Sequence, residues 1–72
     1  MKKRHLLEDY GNSEIRALID EHIHNERDRA LMKRRLCDGV LFEPLAEEFD
    51  LSVQQAKAIF YKRMDKLAKY IK

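Results

Sequence analysis

Pro44 is the only proline in the chain, and it stands inside an apolar pattern of helical spacing made by Phe42, Leu45, Ala46 and Phe49. Proline lacks a backbone N–H, and its ring clashes with the turn before it, so a helix accepts it only in the first turn. The pattern therefore predicts a helix that begins near residue 42 and lasts about two turns. A helix that short is not stable alone. It has to be held by neighbours, and the next stretch supplies one. Phe49-Asp50-Leu51 reads as a turn, and Ser52 is a good N-cap. From Val53 onward, Ala56, Ile59, Phe60, Met64, Leu67 and Ile71 form one apolar stripe, which predicts a longer helix over 53–70. Ala46 is small enough to let these two helices approach closely. Leu51 is placed to plug the core from the turn.

Upstream, Gly11-Asn12-Ser13 is a breaker followed by a helix start, with Asn12 or Ser13 as the cap. Ile15, Leu18, Ile19, His22 and Ile23 share one helical face, giving a helix over 13–23. His24-Asn25 interrupts it. Asn25 caps a helix over 26–37, with Glu26 and Asp28 near its positive dipole end and Leu31, Met32, Leu36 and the stem of Arg35 facing inward. Cys37-Asp38-Gly39 closes it, Gly39 taking the left-handed stop conformation. Residues 1–12 form an N-terminal segment in which Leu6, Leu7 and Tyr10 are spaced for a short helical turn, and 13–72 form the helical body. The expectation is one all-α domain, a small bundle of four to five helices that contains a helix-turn-helix.

A chain of 72 residues holds one small domain with a limited core. With 44% hydrophobic and 39% charged residues it reads as a helix-rich globular domain, not a disordered chain. Cys37 is the single cysteine, so no intramolecular disulfide can form, which fits a cytoplasmic protein. No run approaches the ~18 apolar residues that span a bilayer, so no membrane partner is expected. The basic start of "MKKRHLLEDY" is followed only by Leu6-Leu7 and is not a secretory signal.

The net charge of +2 conceals an asymmetry. Residues 1–10 sum to +1, and residues 11–50, with six basic and ten acidic side chains, to −4. Residues 51–72 carry Lys57, Lys62, Arg63, Lys66, Lys69 and Lys72 against Asp65, a sum of +5. A basic arm of this kind points to a polyanionic partner. Lysines near a helix C-terminus also favour the helix dipole, which is the plainer explanation.

A short brace helix, a tight turn and a longer basic helix make the pattern of a helix-turn-helix, whose second helix enters the major groove. The stretch "GVLFEPLAEEFDLSVQQAKAIFYKRMDKLAKYI" resembles region four of bacterial sigma factors, which reads the −35 promoter element. Gly39, Phe42, Glu43, Leu45, Ala46, Phe49, Asp50, Leu51, Ser52, Lys57, Ile59, Lys66 and Leu67 fit that pattern, and "ERDRALMKRRL" is similar to the helix ahead of it. The resemblance covers about Asn25 to Ile71. It implies a double-stranded DNA-binding transcriptional regulator, bacterial or of a phage or mobile element, with RNA polymerase as a further partner. Its groove readers would be Ser52, Val53, Gln54, Gln55, Lys57 and Ala58, with Tyr61, Lys62, Arg63 and Lys66 further along. Gln54 and Gln55 suit bidentate contacts to adenine. Lys57 would reach guanine or phosphate, and Lys62, Arg63 and Lys66 would touch phosphates. Arg35 would contact the backbone or brace the short helix. The chain departs from the pattern at Arg34, Leu41, Pro44, Val53 and Ala58, and Glu47 and Glu48 lie close to the phosphate path and would repel it.

The remaining residues hold less chemistry. His22 and His24 point about 200° apart on a helix and cannot chelate one metal from one face. Cys37 reads as a small hydrophobe. No Gly-rich loop, Ser-His-Asp set or HExxH occurs, so no enzyme, metal or cofactor is expected. Ile59-Phe60-Tyr61 spans more of the last helix than one core face needs. Either the small domain wraps that helix on two sides, or the triplet is a patch for a protein partner or a homodimer. The alternative function is thus a protein-binding adaptor for RNA polymerase or another bacterial or phage protein. A DNA-binding small subunit of a phage terminase is a further one.

Overall fold

The computed structural model describes residues 10–70. Tyr10 is half-buried against the core; Leu6 and Leu7 of the predicted N-terminal turn, and Ile71 and Lys72, lie outside the described residues. Four helices follow in order: α1 (Asn12–His22), α2 (Glu26–Leu36), α3 (Phe42–Glu48) and α4 (Val53–Ala68). The fold is all-α, as the periodicity predicts, and the bundle is closed by α4, which packs on each of the other three.

Local chemistry sets the ends. The cap of α1 is Gly11, one residue before Asn12 and two before Ser13, the two predicted caps. Glu14 fixes this start: from the third helical position its Oε1 reaches back and accepts the Gly11 N–H at 2.8 Å, the half of a capping box that needs no side chain on the cap residue. Asn25 caps α2 as predicted, its Oδ1 accepting the Asp28 N–H at 3.0 Å. Gly39 takes φ 70°, and the Val40 N–H turns back to the Arg34 carbonyl at 3.1 Å. Pro44 falls in the first turn of α3. The turn after α3 is a Schellman motif: Leu51 N–H reaches Ala46 O at 2.8 Å and Asp50 N–H reaches Glu47 O at 3.2 Å. Asp50 supplies the left-handed residue with φ 58°, a role more often given to glycine but open to aspartate. α4 ends at Ala68 and not at residue 70, because the Lys69 and Tyr70 N–H groups bond three residues back, to Lys66 and Leu67, and tighten the last turn.

Ile15, Ile19 and Ile23 from α1 and its exit, Leu31 and Met32 from α2, Leu45 from α3, and Phe60, Met64 and Leu67 from α4 form one buried cluster. Ala46 and Ala56 are buried between helices, and Leu51 packs against the core from the turn. Among the described residues no buried side-chain polar atom lacks a hydrogen-bond partner.

Ion pairs tie the outer faces. Asp20 on α1 accepts Lys33 Nζ at 2.7 Å. The hydrogen bond to Lys33 holds its carboxyl below the usual carboxylate range. A lowered folded-state value means that the stabilisation is present above the ordinary carboxylate value and lost as pH falls through the lowered one. Asp20→Asn should therefore lose less stability than the parent chain as pH falls below the ordinary carboxylate value, read from urea midpoints. Equal losses for both proteins would remove Asp20 from the account.

Candidate nucleic-acid interface

The start of α4 is fixed by a capping box. Ser52 Oγ accepts the Gln55 N–H at 3.1 Å, and the Ser52 N–H donates to Gln55 Oε1 at 2.9 Å. The carbonyl half of the Gln55 amide is thereby engaged by its own helix. A bidentate adenine contact needs both halves. Gln55 is thus placed as a cap residue, where the sequence suggests a base reader. Gln54 beside it is exposed and has no side-chain partner among the described residues.

At 100° per residue, Gln54, Ala58, Tyr61 and Asp65 fall in one strip along α4. Lys57 flanks it on one side, and Lys62 and Lys69 on the other; all seven are exposed. Val53, Ile59 and Lys66 are half-buried at its edges. Ala56, Phe60, Met64 and Leu67 make the buried side of the same helix. Five of the sequence-predicted readers, Gln54, Lys57, Ala58, Tyr61 and Lys62, therefore share one outward surface.

Two arginines do not. Arg63 points from α4 to α2, where its Nε and Nη2 donate to Asp28 Oδ2 at 2.7 and 2.6 Å. The other oxygen of Asp28 accepts Nε and Nη2 of Arg27 at 3.1 and 3.0 Å. Asp28 is 3% exposed. Arg63, expected to touch phosphate, keeps 23% of its side chain exposed and pairs here with the buried Asp28, whose carboxylate needs its charge answered. Arg35 is a brace. Its Nη1 donates to the Val40 carbonyl at 3.1 Å, and its guanidinium lies 4.3 Å from the centre of the Phe42 ring.

The Phe42 ring gathers the surroundings of the strip. Lys57 Nζ sits 5.8 Å from its centroid, Phe60 meets it edge-on at 5.6 Å, and Tyr61 lies at 6.1 Å. The Ile59-Phe60-Tyr61 triplet divides accordingly. Phe60 is buried at 8% exposure, Ile59 packs against the core, and Tyr61 is 52% exposed. Phe60 is therefore a core residue and offers no surface to a partner. Leu41 is 68% exposed, at an N-cap position where it makes no capping bond.

The acids of α3 are partly answered. Arg34 bonds Glu48 and Asp38 at 3.0 Å each, so the residue that departs from the resembled pattern neutralises the Glu48 expected to repel phosphate. These contacts, that to Glu48 first, hold the Arg34 guanidinium above its ordinary value. Glu47 remains exposed. His22 stacks on Tyr70, ring centres 3.7 Å apart, and His24 is exposed. Burial pushes the Cys37 thiol up, and its Sγ approaches the Asn12 carbonyl at 3.8 Å.

Asp28 is the residue that sequence reading missed, taken there only as a dipole-favouring acid of a first turn. Arg27, next to it in sequence, answers one oxygen, but the partner of the other, Arg63, lies 35 positions away, and no local spacing links them. No helix among the described residues is long and apolar enough to cross a membrane. No protein-family model, curated protein or solved structure matches the chain.

Proposed function

We propose that the chain is a double-stranded DNA-binding transcriptional regulator. In this reading α3, the Phe49–Ser52 turn and α4 act as a helix-turn-helix, with α4 in the major groove, in the manner of the sigma region four that the sequence resembles. The observation that carries the reading is the outward strip of α4. It places an unpartnered amide at the helix start and lysines along both sides, with the acids nearest to it in α3 partly neutralised by Arg34. Lys57, Lys62, Lys66 and Lys69 are the phosphate contacts, while Val53, Gln54, Ala58 and Tyr61 face the bases.

A titration of selected and random duplexes at several salt concentrations tests this. Four phosphate contacts correspond to a slope of log affinity on log salt of about −3 to −4. Lys62→Ala should weaken every duplex alike and lower that slope by about 1. Affinity that ignores salt, with selected duplexes bound no better than random ones, would sink the proposal.

A second reading has its own support in the exposure of Leu41, which precedes Phe42, and of Tyr61, whose ring lies 6.1 Å from that of Phe42. It makes the chain an adaptor that binds RNA polymerase, another bacterial or phage protein, or a second copy of itself. A partner that survives nuclease treatment and is lost with Tyr61→Ser favours the adaptor.

A further inference from the structure

The base preference of the strip follows from which side chains the fold leaves on it. Guanine is read best by the paired donors of arginine, adenine by the amide of asparagine or glutamine, cytosine by a carboxylate, and thymine by apolar contact with its methyl group. Both arginines near α4 are withdrawn: Arg63 is held by Asp28, and Arg35 by Val40 and Phe42. No aspartate or glutamate occurs between Val53 and Met64, so the first three turns of α4 hold no carboxylate to favour cytosine. Asp65 is on the strip but lies roughly 16 Å along the axis from Gln54, well beyond the helix start that meets bases. Lys57 stands at the edge of the strip, near the Phe42 ring, where the phosphates would run. What remains at the centre of the first two turns is the amide of Gln54, which has no partner among the described residues, and, one turn on, the methyl group of Ala58; the exposed Tyr61 follows a further turn along, about 10 Å from Gln54.

We infer that α4 selects A·T base pairs, Gln54 bonding the N6 and N7 edge of an adenine and Ala58 packing on a thymine methyl. The inference rests on the proposal that α4 enters the major groove. The two side chains are about 6 Å apart along the helix, which spans roughly two base pairs at 3.4 Å each. The preferred site therefore has an A·T step of about two base pairs opposite the start of α4. Gln55 contributes by holding the cap, which fixes where Gln54 stands.

The test changes the DNA first, which leaves the folding of the protein untouched. The full chain is used to enrich duplexes from a random pool, and the winning duplex is remade with 7-deazaadenine for adenine or deoxyuridine for thymidine. Loss of N7 at the contacted adenine should weaken binding roughly 5- to 100-fold. Loss of the thymine methyl should weaken it by about 4-fold. In Gln54→Ala the 7-deazaadenine penalty should vanish and the deoxyuridine penalty persist; in Ala58→Gly the reverse should hold. Winning duplexes with a G·C core, or indifference to both base analogues, overturn the A·T assignment while salt-dependent binding keeps the DNA-binding proposal standing. Salt-dependent binding without enrichment of any duplex overturns the assignment in the same way. Failure to bind any duplex overturns both.

Discussion

Asp28→Ala is expected to cost about 3 kcal/mol of folding stability, the lower end of the range seen when one partner of a buried ion pair is removed, because Arg63 and Arg27 keep 23% and 50% of their side chains exposed. Asp28 is 3% exposed and accepts four donor contacts from two guanidinium groups. Without it, Arg63 is left between α2 and α4 with its charge unanswered, and α2 loses an acid from its first turn. Domains of this size have little stability in reserve. Most of the variant should therefore be unfolded at room temperature or melt in very low urea, read by far-ultraviolet circular dichroism. Replacing both partners by apolar residues, Asp28→Leu with Arg63→Met, should recover much of the loss, since the desolvation cost disappears together with the attraction. If Asp28→Ala cost less than about 1 kcal/mol, the pair would be an ordinary surface contact. Arg63 would then be available to phosphate after all.

Phe60→Ala should cost about 3–5 kcal/mol, the range for deleting a buried phenyl ring. The ring is 8% exposed, meets Phe42 edge-on at 5.6 Å and belongs to the central cluster. Its removal opens a cavity where α3 meets α4, and α3 has too few turns to hold its place by itself. Tyr61→Ala is the control. Half of that side chain faces water, so its loss should cost about 1 kcal/mol or less. Urea midpoints of the two variants decide the matter. Equal and small effects would return Phe60 to the surface patch that the sequence also allows.

Helix positions were legible because their signals are local. Pro44 starts a short helix, Asn25 and Ser52 cap theirs, and Gly39 turns the chain left-handed, each through contacts within a few residues. The errors at the ends are local too. Glu14 fixed the cap of α1 at Gly11, and tight bonds at Lys69 and Tyr70 ended α4 at Ala68. The site was less legible. Its lysines could be counted, but Gln54 and Gln55 look alike in sequence. Only the capping box separates the committed amide from the free one.

Lys62 and Arg63 show where sequence stops. Both are basic, they are adjacent, and both can reach a phosphate by length. Successive residues on a helix point about 100° apart, so packing α4 on one side sends them to different environments. Which one turns inward depends on where α2 places the Asp28 carboxylate, 35 residues away. The apolar period and the capping residues determined, by themselves, a bundle of four to five helices with a short brace before a basic arm, and residues 10–70 show four of them. The tertiary structure decided which charges of that arm answer the core and which face outward. Arg27 answers one oxygen of the buried Asp28 carboxylate from the next position in sequence, and the other is answered by Arg63, which only the fold brings to it.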